Sequence, residues 1–226
     1  YWRREAMHEG RRATVYRAIR QSDNRPVAIK VLHPEHCRPQ DLDRLAREHA
    51  LGRSLAGLAT VLEPLALTTI EGWPALEFED FVGVPLERLV GAPMPIDAFL
   101  HLATLLASAV ADLHDRGIIH KDLKPSNVLY AAERNQLKIV GFGVASRIGR
   151  EPTTPRPTHL IEGSLPYVSP EQTGRMNRAI DSRSDLYSLG IIFYQLLTGR
   201  LPFYASDPIG WIHSHLAHKP APPVLL

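Results

Sequence analysis

The chain is poor in cysteine, in net charge and in long hydrophobic runs, and each shortage excludes a class of protein. Cys37 is the single cysteine of 226 residues, so no disulfide forms within the chain and a reducing compartment, the cytoplasm, is expected. A formal net charge of +2 indicates neither a nucleic-acid partner nor a membrane surface. No apolar run approaches the roughly 18 residues of a membrane span, so we expect no membrane contact from this segment.

The chain does contain enough apolar sequence for a packed core. Hydrophobic residues make up 44% of it and charged residues 22%. It starts at Tyr1 with neither an initiator methionine nor a signal-peptide pattern, and its end has no helix stop. We therefore expect a piece of a longer protein, without internal repeats.

The hydrophobic pattern predicts strands early in the chain and helices later. Short runs rich in β-branched and aromatic residues, separated by turn residues, predict strands at residues 14–19, 26–32, 61–68 and 73–78. Apolar residues at spacings of three and four predict helices at residues 41–55, 95–116 and 184–199. The last of these is apolar nearly all round, which is typical of a buried helix.

One polar stretch, residues 120–127, carries the groups that phosphoryl transfer needs. It reads His-Lys-Asp-Leu-Lys-Pro-Ser-Asn. The Asp122 carboxylate can accept the proton of an attacking hydroxyl, the Lys124 amine can lie beside the transferred phosphoryl group, and the Asn127 amide oxygen can bind a divalent metal. An exposed polar turn is the simpler alternative, but the flanking sequence supplies further parts of the same chemistry.

The stretch resembles the catalytic loop of a eukaryotic-type protein kinase, and its Asp-x-Lys-Pro-x-x-Asn form resembles the serine/threonine branch. Val-Ala-Ile-Lys at residues 27–30 resembles the strand with the phosphate-pairing lysine, and residues 163–171 resemble the close of the activation segment. The resemblance extends from Gly10 to the end of the chain. It implies an α+β bilobal fold, with a small antiparallel sheet and one main helix in the first lobe and a mainly helical second lobe, truncated at its C-terminus.

The resemblance implies ATP and Mg²⁺ as cofactors and assigns residues to them. Asp122, Lys124 and Asn127 are the implied catalytic residues, with Asn127 also a metal ligand. Lys30 and Glu48 are implied to pair and to hold the ATP phosphates. The other implied ATP-binding residues are Gly10, Val15, Ala28, Phe78, Glu79, Phe81 and Leu129. The implied domains are a first lobe at residues 1–79, a hinge at 80–83 and a second lobe at 84–226.

The resemblance also implies roles in the segment that binds a protein substrate. Ser164 is expected to bridge Asp122 and Lys124 through its hydroxyl, and Glu171 is expected to be structural, with its arginine partner beyond residue 226. Asp185 is expected to hydrogen-bond the backbone of the catalytic loop. Lys121 replaces the usual arginine and can contact a phosphate as a point charge. Residues 150–158 have the composition of a loop.

Besides Lys121, three parts of the sequence depart from the family's pattern. Gly141 replaces the metal-binding aspartate of Asp-Phe-Gly and has no side-chain oxygen, so Mg²⁺ is expected to bind weakly. The phosphate-covering loop keeps Gly10 but has His8 and Ala13 in place of the outer glycines. Gly52 stands where a bulky residue is usual, and we expect it to weaken the helix and loosen its docking.

The sequence leaves two functions open. One is a protein serine/threonine kinase domain that transfers the ATP γ-phosphate to a protein hydroxyl in bacterial signal transduction. The alternative is a pseudokinase that senses nucleotide or acts as a scaffold, and Gly141 is what separates the two. A third reading, a small-molecule phosphotransferase, is disfavoured by the Ser-Pro-Glu segment at residues 169–171 and by the buried helix at Asp185.

Two further features concern context and metals. Residues 169–178 and 182–190 resemble the N-terminal kinase-like domain of large bacterial ATPase and sensor histidine kinase hybrids, so the expected partners are a protein substrate or downstream domains of the same polypeptide. Two groups of potential zinc ligands lack standard spacing and are interpreted as loop and helix-surface residues. They are His33, His36 and Cys37, and His213, His215 and His218.

Overall fold

The computed structural model describes residues 1–149 and 162–225, which divide into two compact units. Unit 1 comprises Tyr1–Val82 with Gly141–Gly143, and unit 2 comprises Gly83–Val140 with Val144–Leu226. The short Gly141–Gly143 segment therefore groups with the first unit, although the sequence assigned it to the second lobe. The loop predicted at residues 150–158 lies outside the described residues.

Unit 1 contains an antiparallel sheet of five strands in the order β1-β2-β3-β5-β4. The strands are β1 Trp2–Glu9, β2 Ala13–Ile19, β3 Pro26–Leu32, β4 Pro64–Ile70 and β5 Trp73–Glu79. Strand β1 was not predicted, because its polar residues lack the alternation of a half-buried strand. It forms by pairing along the edge of β2, with Ala6 opposite Tyr16.

The β4–β5 hairpin shows how local sequence sets the register of this sheet. Ile70 is opposite Trp73, so Glu71 and Gly72 alone make the turn. Both turn residues have positive φ, 53° and 86°, which matches the twist of the flanking strands in a two-residue hairpin. The apolar side of the sheet then forms a core. Its buried members are Ala18, Val27, Ile29, Val31, Ile70 and Ala75.

Helix α1, Pro39–Ser54, is the one long helix described in unit 1, and Gly52 lies on its buried side. A Cβ atom at Gly52 would be 2.5 Å from Cγ of Pro64, at the start of β4. The proline ring thus occupies the space that a side chain would need. The expectation that Gly52 loosens the docking of α1 was wrong, since the missing side chain permits the close approach.

We expect Gly52→Ala to lower the free energy of unfolding by about 1–2 kcal/mol, because the gain of roughly 1 kcal/mol in helix propensity is smaller than the cost of overpacking. Gly190→Ala is the matched control, since Gly190 is also helical but no atom of the described residues would lie within 4 Å of its Cβ. That variant should be stabilised by about 0.5–1 kcal/mol. Urea unfolding measures both, and stabilisation by both substitutions would contradict the packing argument.

Unit 2 is mainly helical. Its helices are α2 Ile96–Asp115, α3 Ser182–Thr198 and α4 Pro208–Ala217. The remaining strands are β6 Val84–Pro85, β7 Ile118–Ile119, β8 Val128–Ala131, β9 Gln136–Ile139 and β10 Ser146–Arg147. They form one sheet in the order β6-β8-β9 and a β7–β10 pair. The α+β class, with a sheet and one main helix first and a helical part second, is confirmed.

Helix α2 has the apolar stripe that the sequence predicts. The predicted stripe consists of Phe99, Leu102, Ala103, Leu106, Ala109, Val110 and Leu113. Six of these seven residues are buried and Ala103 is half-buried. Phe99 meets Phe193 of α3 edge to face at 5.6 Å between ring centroids. By length and composition alone the helix could also cross a membrane, with a mean hydropathy of 1.5 over 18 residues. Polar residues interrupt the helix, so it contains no uninterrupted apolar run of that length. The core helices of soluble proteins share this length and composition.

Candidate active site

The predicted ion pair of unit 1 is formed. Lys30 on β3 places Nζ 2.6 Å from Oε2 of Glu48 on α1. Glu48 is buried and Lys30 is partly exposed, so the carboxylate can hold the ammonium group while leaving it accessible. Such a pair positions a cation for phosphate oxygens, because a point charge held by a buried partner loses little freedom on binding.

Most of the other predicted ATP-binding residues of unit 1 occupy neighbouring sheet positions. Val15 on β2 is directly opposite Lys30, and Ala28 on β3 is directly opposite Phe78 on β5. Gly10 lies in the β1–β2 turn, where its N–H donates to the Ala13 carbonyl at 3.0 Å. Sheet register therefore brings together residues that the motifs identified separately.

The predicted hinge residues follow β5. The Glu79 carboxylate accepts a hydrogen bond from the Glu63 N–H at 3.0 Å, and the Glu79 N–H donates to the Glu63 carbonyl at 3.0 Å. Phe81 is buried. Sequence reasoning missed the ion pair between Asp80 and Arg17. No local pattern could have shown it, since the two residues come from distant parts of the chain.

The catalytic loop of unit 2 is held by one buried carboxylate, as predicted. Asp185 on α3 accepts hydrogen bonds from the N–H groups of His120 at 2.8 Å and Lys121 at 2.9 Å. The His114 ring lies 2.9 Å from the same carboxylate. Lys121 has φ of +65°, a left-handed conformation that costs a non-glycine residue about 1–2 kcal/mol. The hydrogen bonds to Asp185 offset this cost and set the direction of the loop.

His120 ties the loop to the strand that precedes Gly141. The Asp122 N–H donates to Nδ1 of His120 at 3.2 Å, which places the ring proton on Nε2. Nε2 then donates to the Val140 carbonyl at 2.9 Å. The Val140 N–H in turn donates to the Asn127 carbonyl at 3.0 Å. These bonds hold both ends of the loop.

The three predicted catalytic side chains are assembled around Asp122. Oδ2 of Asp122 lies 3.2 Å from Nζ of Lys124 and 3.2 Å from Nδ2 of Asn127. Oδ1 of Asp122 is buried and has no hydrogen-bond partner within the described part of the chain. A buried polar atom without a partner is costly and calls for a functional explanation. Here one oxygen is held by two donors, and the other faces no donor among the described residues.

The activation segment meets the loop at residues 162–164. Nζ of Lys124 lies 2.7 Å from Oγ of Ser164, but Ser164 makes no hydrogen bond to Asp122 among the described residues, so half of the predicted bridge is absent. Lys121 pairs with Glu162 at 3.1 Å. Sequence reasoning also missed Gln172, whose amide donates to the Lys121 carbonyl at 2.7 Å.

Glu171 has a hydrogen-bond partner within the described chain, while the arginine partner expected beyond residue 226 stays a prediction. It accepts a hydrogen bond from the hydroxyl of Ser184, the residue before Asp185 on α3. Leu129 lies on β8, opposite Pro85 and Lys138. The roles assigned to these residues in ATP and substrate binding stay predictions.

The residues present do not complete the magnesium site that the resemblance implies. Gly141 supplies no side-chain oxygen, and no cluster of three or more His, Cys, Asp or Glu side chains able to hold a metal occurs in residues 1–149 and 162–225. Nδ2 of Asn127 donates to Asp122, so only Oδ1 of that amide remains for a cation. Mg²⁺ prefers several hard oxygen ligands in octahedral geometry.

One predicted surface histidine is in fact buried. His215 on α4 shares a helix face with buried Ile212, three residues earlier, a spacing that could have identified it. Its ring lies 2.8 Å from both the Tyr187 hydroxyl and the Leu165 carbonyl. Burial lowers its pKa below the usual 6.5.

We expect this histidine to make stability sensitive to acid. Its pKa in the folded state lies below that of the unfolded chain, so the unfolded chain takes up the proton first as pH falls below about 6.5. Neutral His215 therefore makes its full contribution to folding stability above pH 6.5, and this contribution is lost on acidification. The loss is about 1.4 kcal/mol for each unit by which the pKa differs between the folded and unfolded states. The facing Tyr187, near Glu171, has a pKa raised to about 12 by burial and stays neutral. Between pH 7 and pH 5, the free energy of unfolding measured with urea should fall less in His215→Gln than in the wild type. An equal fall in both proteins would contradict the assignment.

The fold and the loop geometry define a protein kinase domain. The family model described as protein kinase domain matches residues 1–219, and the chain belongs to this family as a eukaryotic-type serine/threonine kinase domain. It is 32% identical over 219 residues to the serine/threonine-protein kinase Pkn1 of Myxococcus xanthus, covering 95% of this chain and 31% of that protein.

Other bacterial relatives show the same pattern. The serine/threonine-protein kinase PksC of Streptomyces coelicolor is 33% identical over 234 residues, covering 99% of this chain and 41% of that protein. The serine/threonine-protein kinase PknB of Mycobacterium tuberculosis is 32% identical over 206 residues, covering 88% of this chain and 32% of that protein. The chain thus spans less than half the length of these relatives.

Proposed function

We propose that this domain transfers the γ-phosphoryl group of ATP to a serine or threonine hydroxyl of a protein, as part of bacterial signal transduction in the cytoplasm. The observation that carries the proposal is the state of Asp122. Oδ2 is held by Lys124 and Asn127, while Oδ1 is buried without a hydrogen-bond partner in the described chain. A scaffold has no physical need for a carboxylate oxygen kept in this way.

Each side chain has a role in the proposed reaction. The Lys30 ammonium, held by Glu48, contacts phosphate oxygens of ATP. Oδ1 of Asp122 accepts the hydroxyl proton as the acceptor oxygen bonds to the γ-phosphorus and ADP leaves. Lys124, which lies within reach of both Asp122 and Ser164, stabilises the charge on the moving phosphoryl group.

The proposed rate is low because of Gly141. Metal stabilisation of charge in a transition state is worth several kcal/mol. At about 1.4 kcal/mol per tenfold change in rate, an incomplete metal site lowers the rate by roughly a hundredfold to many thousandfold. The acceptor is a separate protein or another domain of the same polypeptide, and continuation into an ATPase and histidine kinase hybrid is part of the proposal rather than of the described chain.

The second candidate is a pseudokinase that acts by conformation. Gly141 has φ of +89°, a backbone conformation that glycine adopts without strain. Glycine thus fits this backbone, and the chain supplies no side-chain metal ligand at this position. In a pseudokinase, Asp122 has only a structural role in the loop. The domain then regulates its partner through the conformation that it adopts on binding nucleotide.

Phosphate transfer to a generic basic protein, with Mg²⁺ and radiolabelled ATP, tests the proposal. The wild type should transfer slowly but above an Asp122→Asn blank. Gly141→Asp should be faster by about ten- to a few hundredfold, since a new metal ligand is worth more than the 1–2 kcal/mol of strain from its positive φ. A silent wild type with an active Gly141→Asp variant would instead establish a kinase inactivated at one position. Absence of transfer in both the wild type and Gly141→Asp would support the pseudokinase instead.

A further inference from the structure

A buried polar contact joins three separate parts of unit 2 at His215. The ring lies on α4, its Nε2 is 2.8 Å from the Leu165 carbonyl in the activation segment, and its Nδ1 is 2.8 Å from the hydroxyl of Tyr187 on α3. Only 6% of His215 is exposed. None of these three residues belongs to the catalytic set described above.

The hydrogen bonds determine which form of the ring is present. A carbonyl oxygen can only accept, so Nε2 carries the proton and donates to Leu165. Nδ1 is then the acceptor and the Tyr187 hydroxyl is the donor. Burial raises the pKa of Tyr187 to about 12, which keeps this hydroxyl protonated. A neutral imidazole therefore has both nitrogen atoms satisfied.

Aromatic rings fix the plane of the imidazole. Phe203 meets it edge to face with centroids 5.3 Å apart, Tyr187 does so at 5.7 Å, and Trp211 stacks on it at 6.0 Å. Packing alone would be served as well by a phenyl ring. The two satisfied nitrogen atoms indicate that the contact with the Leu165 backbone is the specific contribution of histidine.

Leu165 begins the short helical turn Leu165–Tyr167, which follows Ser164 directly. Ser164 is the residue whose hydroxyl contacts Lys124. The other end of the turn is held by α3, since Ser188 donates to the Tyr167 carbonyl at 2.8 Å and the Tyr167 hydroxyl donates to Gln195 at 2.8 Å. At the beginning of the turn, His215 on α4 makes the corresponding hydrogen bond, to the Leu165 carbonyl.

We infer that His215 is a positioning residue for the protein acceptor. It fixes the backbone at Leu165, and through it the neighbouring Ser164 beside Lys124, so that the segment presents the hydroxyl-bearing peptide in register with Asp122. Loss of the contact weakens acceptor binding and leaves ATP binding intact, because Lys30 and Glu48 lie in the other unit. This inference rests on the proposed transfer to a protein hydroxyl.

The test compares His215→Phe, which keeps an aromatic ring, with His215→Gln, whose amide can again donate to the Leu165 carbonyl. His213→Phe is the matched control, since His213 is exposed on the same helix. In His215→Phe we expect the KM for a protein acceptor to rise about tenfold, with the KM for ATP unchanged within twofold. His215→Gln should recover most of the loss, and His213→Phe should resemble the wild type.

Amide hydrogen exchange at residues 164–168 provides a readout that does not need activity. His215→Phe should speed exchange there about tenfold, and His215→Gln should restore protection. If no transfer is measurable, the proposed function fails, and these exchange effects would still sustain the hold of His215 on the Leu165 backbone. Unchanged exchange and an unchanged acceptor KM would overturn the inference, as would an equal rise in the KM for ATP. Tyr187→Phe, which removes only a hydroxyl, should give a smaller change of the same kind if His215→Phe does not fold.

Discussion

Asp122→Asn should lower the rate of phosphoryl transfer by about 10²–10⁴-fold, the usual contribution of a general base, without unfolding the protein. The reason lies in the two donors that face Oδ2. Lys124 and Asn127 both approach that atom at 3.2 Å, so an asparagine must place its amide oxygen there. The NH₂ group then occupies the position of Oδ1. A proton acceptor is thereby replaced by a donor at the point where the hydroxyl proton must go.

Steady-state transfer to a protein acceptor measures this effect, and thermal unfolding verifies that the variant is folded. Asp115→Asn is the matched control, because it makes the same chemical change at an exposed position at the end of α2. It should leave the rate within a factor of two. If Asp122→Asn keeps more than a third of the wild-type rate, Asp122 is not the base and any transfer proceeds by another group.

The second large effect is expected at Asp185. Asp185→Asn should lower the free energy of unfolding by about 3 kcal/mol, because a buried donor loses its acceptor. Oδ1 accepts from Lys121, and Oδ2 accepts from His120 with His114 beside it. Whichever way the amide is turned, its NH₂ group faces one of these N–H donors. A loss of this size is a large fraction of the roughly 5–15 kcal/mol that stabilises a domain.

Urea unfolding gives the free energy, and the transfer assay shows whether the loop survives. Asp181→Asn, at the N-cap of the same helix, is the control, since asparagine caps as well as aspartate and the change should stay below about 0.5 kcal/mol. We also expect transfer to fall in Asp185→Asn, because Lys121 can then relax from its positive φ and move Asp122. A free energy of unfolding equal to that of the wild type would show that the loop needs no buried carboxylate.

The candidate site was largely predictable where a chemical requirement fixes residue types at a set spacing. A lysine and a glutamate identified from separate motifs form the Lys30–Glu48 pair, and the carboxylate expected to hold the loop does so at Asp185. The predicted contact of Ser164 with Lys124 is present, while its contact with Asp122 is absent. Sequence spacing shows that such groups can meet, but it does not show which of two neighbouring atoms a hydroxyl chooses.

Other features depend on packing between distant segments and have no local signal. Gly52 appeared to be a weak point of α1, yet the ring of Pro64 occupies the space it leaves. His215 appeared to be a surface residue, yet it bonds Leu165 and Tyr187, which lie 50 and 28 residues away in the chain. Periodicity can identify the buried face of a helix, but not what that face will meet.

The sequence by itself determined the class of the protein, the groups proposed to be catalytic and the absence of a side-chain oxygen at Gly141. These follow from residue chemistry, since a glycine cannot supply an oxygen and a hydroxyl acceptor needs a base. Only the tertiary structure decided that Oδ1 of Asp122 is the oxygen without a partner among residues 1–149 and 162–225, and that His215 contacts the Leu165 carbonyl. Both depend on side chains from separate elements meeting at hydrogen-bonding distance, which the folded chain alone establishes.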